Sequence, residues 1–224
     1  MSARFAVDAV LFDLDGTLLD TIDDLVEASN RMLAELGRPL RTRDDIHRFV
    51  GKGIEHLVAR CLGDAADAAA REAAVAVFRR HYHVVNGVHA KAFDGVEEML
   101  AVLAARGIPM ACVTNKATDF TLPLLARCGV AGYFPVVVCG DTLPHKKPHP
   151  AMLEFACRQL GVDVARALMV GDSVNDAQSA RAAGCPVLLM TYGYSEGAPV
   201  DTIDCDGLLS NAADLLARIA PQPA

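Results

Sequence analysis

The chain has 224 residues, 52% of them hydrophobic and 22% charged, so it is long enough for one or two domains and too apolar for a disordered protein. Its formal net charge of −7 and the lack of a basic stripe argue against nucleic-acid binding. The seven cysteines form no Cys-x-x-Cys pair and no apolar run approaches the length of a membrane span, so we predict a cytoplasmic protein with free thiols and no membrane partner.

The first predicted element is a buried strand over Ala6–Phe12, which is apolar apart from Asp8 and ends in a polar loop. The loop Asp13–Thr17 places Asp13 and Asp15 two residues apart. Taken alone, an Asp-x-Asp pair after a strand could be a polar turn or a Ca²⁺-binding loop. The pair therefore indicates a chemistry only if the chain brings other polar groups to the same place.

The next part of the chain has helical spacing and no strand pattern. The alanine-rich segment Ala65–Val85 could hold one long helix. We therefore predict a helical domain over residues 21–87, inserted into a core domain made of residues 1–20 and 88–224. The apolar positions at helical spacing are Leu25, Met32, Leu33 and Leu36, and then Ile54, Leu57, Val58 and Leu62. The two connections are predicted near Leu19–Thr21 and Gly87–Phe93.

Beyond the helical domain, short apolar segments alternate with segments at helical spacing. The predicted strands are Ile108–Thr114, Val136–Cys139, Ala167–Gly171 and Pro186–Met190. The predicted helices are Val96–Arg106, Thr118–Cys128, Pro150–Leu160 and Asn175–Ala183. A glycine follows each helix, as is common where a helix ends. This alternation predicts an α/β fold with a parallel sheet that helices cover on both faces.

Four polar clusters follow predicted strands, and ligands of open α/β sheets bind beyond the carboxyl ends of the strands. Each cluster has an ordinary interpretation: Thr114 could close its strand, Lys146 and Lys147 could be exposed charge, and Gly-Asp-Ser could be a turn that caps a helix. Their occurrence in this order, each at a strand end, makes independent ordinary interpretations jointly improbable. The clusters are Asp13–Thr17, Thr114–Asn115, Gly140–Pro148 and Gly171–Asp176.

The residue types in these clusters suit phosphoryl transfer. Asp13, Asp15 and Asp172 would repel one another if they packed together, and a hard divalent cation such as Mg²⁺, which takes oxygen ligands, removes that conflict. A phosphoryl group also needs a positive side chain and neutral donors, which Lys147 and Thr114 can supply. One carboxylate can accept the phosphoryl group, and a second carboxylate two residues away can transfer protons to the leaving oxygen and from water.

These motifs resemble those of the haloacid dehalogenase superfamily over nearly the whole chain. The resemblance implies an α/β fold with a Rossmann-like parallel sheet core and an inserted α-helical cap domain that closes over the site. It also implies phosphate-ester chemistry, because the dehalogenases of the superfamily lack an acid at the position of Asp15. The first to fourth motifs of the superfamily match Asp13–Thr17, Thr114–Asn115, Lys147–Pro148 and Gly171–Asp176.

The resemblance implies a role for each of these residues. Asp13 is expected to be the nucleophile, and Asp15 the general acid and base. Lys147 is expected to neutralise charge on nucleophile and phosphate, and it is preferred over Lys146 because the superfamily lysine directly precedes a proline. Asp176 would ligate the metal directly, through water, or steady the lysine instead. The expected Mg²⁺ ligands are Asp13, Asp15 through its backbone carbonyl, Asp172 and Asp176. The expected phosphate-binding residues are Gly16, Thr114, Asn115 and Lys147.

Within the superfamily the chain resembles bacterial phosphoglycolate phosphatases, which predicts hydrolysis of 2-phosphoglycolate to glycolate and phosphate. Because cap residues face the leaving group, Lys52 in the turn Gly51–Gly53 is the candidate for binding the substrate carboxylate. Lys52 could instead be a solvent-exposed loop lysine, and Arg48 and His47 are weaker candidates. The stretches that carry this resemblance are Val10–Asp20, Asn30–Gly37, Phe49–Gly53, Gly140–Pro150 and Gly171–Gly184.

Several alternatives stay open at this point. The same site could serve a sugar phosphomutase, a nucleotidase or a pyrophosphatase, and the same fold could be a non-catalytic phosphate-binding module. All presumed catalytic positions are filled, which favours an enzyme with a small phosphate monoester as its partner. The sequence is equally compatible with a monomer or a homodimer, and with Mn²⁺ or Co²⁺ in place of Mg²⁺.

Overall fold

The computed structural model describes residues 4–64 and 66–220. Positions 1–3, 65 and 221–224, which include the first residue of the predicted helix Ala65–Val85 and both ends of the predicted core, lie outside the described residues. In chain order the strands and α-helices are β1 (Ala9–Phe12), β2 (Leu19–Asp20), α1 (Ile22–Glu35), α2 (Arg43–Phe49), α3 (Ile54–Leu62), α4 (Ala68–Val85), β3 (Lys91–Ala92), α5 (Val96–Ala105), β4 (Met110–Val113), α6 (Thr118–Arg127), β5 (Val136–Val138), α7 (Ala151–Leu160), β6 (Ala167–Gly171), α8 (Val174–Ala183), β7 (Val187–Met190), β8 (Leu208–Leu209) and α9 (Ala212–Arg218).

The main sheet has six strands in the order β5-β4-β1-β6-β7-β8, and all neighbouring pairs are parallel. β1 lies at the centre, and its last residue, Phe12, pairs with Cys112 of β4 on one side and Val170 of β6 on the other. The four inner strands, β4, β1, β6 and β7, are short runs of buried apolar side chains, as expected for a parallel sheet covered on both faces. The predicted α/β fold is confirmed.

Helices cover both faces of this sheet. One hydrophobic cluster packs α5 and α9 against one face, and a second cluster packs α7 and α8 against the other. Successive side chains of a strand point to opposite faces, so Val10 of β1 belongs to the first cluster and Leu11 to the second. Among the described residues, no helix combines the length and the apolar character needed to cross a membrane.

The chain described between Ile22 and Val85 consists of α1 to α4 and their loops, with no strand among those residues. These helices share a hydrophobic cluster of their own, which includes Met32, Phe49 and Phe78. α4 packs along α1 and α3. The helical insertion expected from the sequence pattern is therefore present, while its limits as a separate domain stay a prediction.

The two connections between these helices and the sheet run side by side. β2 and β3 pair antiparallel, with Leu19 opposite Ala92 and Asp20 opposite Lys91. Leu19 also forms an isolated bridge with Asp15, so the paired connections lie against the loop that follows β1. The entry to the helical segment is thereby held next to the Asp-x-Asp loop.

The sequence patterns do not predict α2, β8 and α9, and they give the short strands β2 and β3 only as connections. α2 has only seven residues, too few for a clear hydrophobic period, and its start is defined by a capping box between Thr42 and Asp45. β8 has two residues, and α9 again has seven. These elements are stabilised by packing on the sheet and helices beside them, which local sequence does not report.

Candidate active site

The loops that follow β1, β4 and β6 meet at one edge of the sheet. These strands are parallel neighbours, so the residues after their last positions, Asp13, Thr114 and Asp172, come side by side. Lys147 reaches the same edge from the loop after β5, and Asp176 does so from the first turn of α8. The four polar clusters of the sequence therefore converge.

Lys147 is buried between two carboxylates. Its Nζ lies 2.9 Å from Asp13 Oδ1 and 2.7 Å from Asp176 Oδ1, and only 1% of its side chain is exposed. Burial by itself would lower the pKa of Lys147, but the two neighbouring carboxylates outweigh burial and raise that pKa above its ordinary value. Asn115 holds the lysine backbone, because its Oδ1 accepts from the Lys147 N–H and its Nδ2 donates to the Lys147 carbonyl, both at 2.9 Å. The lysine is therefore charged and fixed in position.

Three carboxylates crowd together beside this lysine. Side-chain oxygens of Asp13, Asp172 and Asp176 lie within 4.8 Å of one another. Burial raises the pKa of Asp13 to about 7, and burial together with repulsion from Asp13 and Asp176 raises the pKa of Asp172 well above its ordinary value. One lysine does not balance three carboxylates, whereas a hard divalent cation takes this kind of oxygen ligand. The donor set therefore fits a divalent metal ion.

Hydrogen bonds from neighbouring loops hold the two carboxylates that follow β6. Asp172 Oδ1 accepts from the Thr17 hydroxyl at 2.5 Å, and its Oδ2 accepts from the Tyr194 N–H at 2.6 Å. Asp176 Oδ2 accepts from the Asp172 N–H at 3.2 Å and from the N–H and hydroxyl of Ser173 at 3.1 and 2.8 Å. One oxygen of Asp176 thus closes the start of its own helix, and the other contacts the buried lysine.

The backbone of the first loop is shaped for close approach. Gly16 has φ 88°, a conformation that side chains rarely adopt, and a Cβ at this position would overlap the carboxylate of Asp172. In the part of the chain that the structure describes, the backbone N–H groups of Asp15 and Asn115 have no hydrogen-bond acceptor. Two neutral donors are therefore available beside the acid cluster for an anionic oxygen.

The side chain of Asp15 turns away from the acid cluster. Its two oxygens accept from Lys116 Nζ at 3.0 and 3.2 Å, and its Oδ1 also accepts from the Thr21 hydroxyl at 2.7 Å. Lys116 in turn contacts the hydroxyl of Tyr82 on α4. Asp15 therefore lies between the sheet and the helical segment, and its carboxylate is not part of the group that could hold a metal ion.

Comparison with known proteins shows the family to which the chain belongs. Residues 10–190 match the family model of haloacid dehalogenase-like hydrolases, which covers most of the chain. The chain belongs to the haloacid dehalogenase-like hydrolase family. The superfamily resemblance inferred from the four motifs is confirmed.

Several relatives of this hydrolase are named phosphoglycolate phosphatase. It is 45% identical over 212 residues to the phosphoglycolate phosphatase of Thiobacillus denitrificans, with 93% of each chain covered. It is 47% identical over 207 residues to the phosphoglycolate phosphatase of Nitrosospira multiformis, with 91% of each chain covered. Among solved structures, a predicted phosphoglycolate phosphatase from Haemophilus somnus is 30% identical, with a TM-score of 0.90 over 95% of this chain and 97% of that chain.

The sheet edge that carries these polar clusters opens into a pocket between the sheet and the helical segment. The cavity has a volume of about 50 Å³. Its sheet side is polar and charged, and much of its helical side is apolar. The sheet side includes Asp13, Asp15, Thr114, Asn115, Lys116 and Asp172, and the helical side includes Leu25, Val50, Gly51, Gly53, Ile54, Leu57 and Tyr82.

Lys52, the residue predicted to bind the substrate carboxylate, does not line this pocket. Its Nζ lies 2.9 Å from Glu196 Oε2, and 45% of its side chain is exposed. The two weaker candidates are also outside the lining: Arg48 pairs with an acidic side chain of its own helix at 3.0 Å, and His47 packs edge-on against Tyr194. In this structure, the three basic side chains near the turn are engaged with other protein groups.

The motifs do not include three residues that the hydrolase fold brings to the site: Lys116, Tyr82 and Tyr194. Lys116 had an available signal, because it directly follows Asn115 at the end of a buried strand. Tyr82 lies in the alanine-rich helix and Tyr194 lies beyond the last predicted strand, so neither belongs to a polar cluster of the sequence. Their place at the site depends on how distant segments pack.

Proposed function

We propose that this hydrolase is a Mg²⁺-dependent phosphatase that converts 2-phosphoglycolate to glycolate and phosphate through an aspartyl-phosphate on Asp13. The observation that carries the chemistry is the 2.9 Å contact of Lys147 with Asp13 at the edge of the acid cluster. It combines a nucleophile, a fixed positive charge and oxygen ligands for a metal ion, which phosphoryl transfer requires. The substrate is supported by the relatives at 45% and 47% identity, both named phosphoglycolate phosphatase.

Asp13 is the proposed nucleophile. Its Oδ1 accepts from the Leu14 N–H at 2.7 Å and contacts Lys147, whereas its Oδ2 accepts no hydrogen bond from the described residues and is free to attack phosphorus. Asp13, Asp172 and the backbone carbonyl of Asp15 are the proposed metal ligands. When bound, Mg²⁺ supplies positive charge to the phosphoryl oxygens and to the nucleophile.

The proposed phosphate site is built from neutral donors and one lysine. The Thr114 hydroxyl and the unpaired N–H groups of Asp15 and Asn115 would bind phosphoryl oxygens, and Lys147 would bind both the phosphoryl group and the nucleophile. Asp176 keeps the lysine in place through its 2.7 Å contact. Because these donors are positioned before substrate arrives, little reorganisation is needed in the transition state.

Asp15 is the proposed general acid and base. Its carboxyl would give a proton to the departing oxygen of glycolate, and it would then take a proton from the water that attacks the aspartyl-phosphate. The Thr21 hydroxyl and Lys116 hold this carboxyl in one position. Thr21 directly precedes α1, so the position of the acid is coupled to the position of the helices.

The pocket favours a small leaving group. A cavity of about 50 Å³ has room for only a few water molecules, and a glycolate fits such a space far better than a nucleoside does. The pocket is only partly open to solvent, and 14% of the Asp13 side chain is exposed, which limits the access of bulk water to the proposed aspartyl-phosphate. These points support phosphoglycolate over the larger substrates that the same chemistry could serve.

A phosphate-release panel tests the proposal. With excess Mg²⁺, we expect kcat/KM for 2-phosphoglycolate to exceed that for hexose phosphates, nucleotides and pyrophosphate by at least about 100-fold, since a site built for one polar group rejects substrates that leave it unpaired. Equal or better hydrolysis of a nucleotide or pyrophosphate would remove phosphoglycolate as the substrate. Isomerisation of a sugar 1-phosphate without phosphate release would instead identify a phosphomutase.

The acid cluster predicts that metal binding becomes stronger as the pH rises. The folded-state pKa of Asp13 is raised from 3.8 to about 7, and that of Asp172 is also raised, so both carboxyls hold protons more tightly in the folded state than in the unfolded state. Without metal, their contribution to stability is therefore present at low pH and is lost as the pH rises through about 7. Mg²⁺ binds the ionised carboxylates and should offset this loss.

Thermal unfolding measured with EDTA and with excess MgCl₂ checks this expectation. Mg²⁺ should raise Tm clearly at about pH 8 and much less at about pH 5, where the ligands hold protons. The Asp172→Asn variant, which lacks one proposed ligand, should lose most of the shift at the higher pH. A Tm shift of the same size at both pH values, or an undiminished shift in Asp172→Asn, would contradict the proposed metal site.

A further inference from the structure

Lys116 is a buried cation that the proposed phosphate site does not use. Only 4% of its side chain is exposed, and its Nζ contacts both oxygens of Asp15 and the hydroxyl of Tyr82. A lysine is rarely buried to this extent without a specific partner or task. Burial would lower the pKa of Lys116, but the neighbouring Asp15 and Tyr82 raise it above its ordinary value, so the ammonium stays charged.

The surroundings of Lys116 suit an anion that comes with the substrate. Among the described residues that line the pocket, Lys116 is the only one with a basic side chain. Lys147 already contacts two carboxylates, and Lys52 contacts Glu196 outside the lining. A leaving group with a carboxylate would otherwise enter a space with largely apolar helical walls, where an unpaired charge is strongly disfavoured.

We propose that Lys116 Nζ and the Tyr82 hydroxyl form the subsite that binds the carboxylate of the leaving group and so select for acidic substrates. This inference rests on the proposed function, in which Asp15 protonates the leaving oxygen. In 2-phosphoglycolate one methylene separates that oxygen from the carboxylate. Lys116 Nζ lies 3.0 Å from Asp15 Oδ1, so a carboxylate one methylene beyond the protonated oxygen comes within reach of the ammonium.

The hydrogen bonds of Tyr82 and Lys116 leave the Tyr82 hydroxyl proton available to a ligand at this subsite. The Tyr82 oxygen accepts from Lys116, and no acceptor for its own hydroxyl proton lies among the residues that the structure describes. Burial raises the pKa of Tyr82, so the phenol keeps that proton. The ammonium has three protons, which are shared between Asp15 and Tyr82 in the free protein. An incoming carboxylate can therefore accept from the phenol and share the ammonium with Asp15.

Selectivity follows from the same contacts. A leaving group that carries a hydroxyl or a methyl in place of the carboxylate would leave the ammonium and the phenol with no anion to bind. Sites that are built around a polar group discriminate strongly against substrates that lack it. The subsite would thus act mainly on substrate binding, while Lys147 and Asp13 act on the phosphoryl group that all monoesters share.

The test compares two substrates of matched size on the Mg²⁺-loaded full chain: 2-phosphoglycolate, and 2-hydroxyethyl phosphate, in which a hydroxymethyl group replaces the carboxylate. We expect the unaltered protein to prefer phosphoglycolate by about 1,000-fold in kcat/KM. Lys116→Met should reduce this preference by about 100-fold, chiefly by raising KM for phosphoglycolate. Tyr82→Phe should reduce it by about 10-fold, and the exposed Lys91→Met should leave it unchanged.

Each outcome separates this inference from the proposed function. If Lys116→Met lowers kcat/KM for both substrates by the same factor, Lys116 only positions Asp15 and the inference is overturned. The same holds if Lys52→Met, and not Lys116→Met, removes the preference. If the unaltered protein shows no preference for phosphoglycolate, the proposed function itself fails. Circular dichroism checks the fold, and if Lys116→Met does not fold, Tyr82→Phe decides: a selective loss supports the subsite and an equal loss on both substrates refutes it.

Discussion

Replacing Asp13 with Asn is expected to lower kcat for 2-phosphoglycolate by at least about 10⁴-fold, because an amide does not form the phosphoryl-enzyme and little catalysis survives loss of a nucleophile. The substitution keeps the size and shape of the side chain at a position packed against Leu14 and Lys147. The measurement is phosphate release under saturating substrate and Mg²⁺. Mass spectrometry of the quenched unaltered protein should also show one added phosphoryl group, which the variant should lack.

The matched control for this variant is Asp8→Asn. Asp8 lies just before the other end of β1, where its exposed carboxylate pairs with Arg166 at 2.7 Å. The pair is solvent-exposed, and such pairs contribute little to stability, so the fold and kcat should be unchanged within about twofold. Substantial activity in Asp13→Asn, or a phosphoryl group that still forms in that variant, would remove Asp13 as the nucleophile.

Replacing Lys147 with Met is expected to lower kcat by about 10³-fold and to destabilise the metal-free protein. The activity falls because the variant lacks the positive charge proposed to act on nucleophile and phosphate, the size of effect seen when one preorganised donor is removed. The stability falls because Asp13 and Asp176 lose the cation that lies 2.9 and 2.7 Å from them in a buried site. Removing one partner from such a buried group typically costs about 3 kcal/mol or more. Urea unfolding in EDTA near neutral pH measures this term.

The adjacent lysine offers the matched control. Lys146 is partly exposed, with 38% of its side chain accessible, and its Nζ lies 3.4 Å from Glu55 Oε2, so Lys146→Met should change kcat by less than about threefold and stability by less than about 1 kcal/mol. The two variants make the same chemical change at neighbouring positions and differ only in where the side chain points. Equal losses in both, or a fully active Lys147→Met, would contradict the choice of Lys147 as the catalytic lysine.

Much of the fold was accessible from local sequence pattern. The apolar runs predicted as strands at Ala167–Gly171 and Val136–Cys139 contain β6 and β5, and the predicted helix Val96–Arg106 contains α5 (Val96–Ala105), with Gly107 at φ 70° beyond its end. Such segments are predictable because a buried strand appears in the sequence as an apolar run, and a helix appears as apolar residues at helical spacing followed by a glycine. α2 is harder to predict, since a seven-residue helix has too few turns to show a period.

The convergence of Asp13, Thr114 and Asp172 was also accessible, because parallel neighbouring strands end at the same edge of a sheet and each residue directly follows its strand. Order along the chain therefore implied closeness in space. For these three residues the sequence indicated both the chemical type and the place. Lys147 lies several residues beyond the end of β5, and its choice over Lys146 came from the resemblance, in which the lysine directly precedes a proline.

Only the tertiary structure decided which cation faces which carboxylate. Asp15 pairs with Lys116 and not with the metal cluster, Lys116 meets Tyr82 from a helix of the inserted segment, and Lys52 contacts Glu196. These pairings depend on how α4 and the loop after β7 pack against the sheet edge that carries Asp13, and packing is the joint result of many apolar contacts between distant segments. The sequence by itself predicted which polar clusters meet at one edge of the sheet, and the packing of the helices over that edge decided which side chains line the pocket.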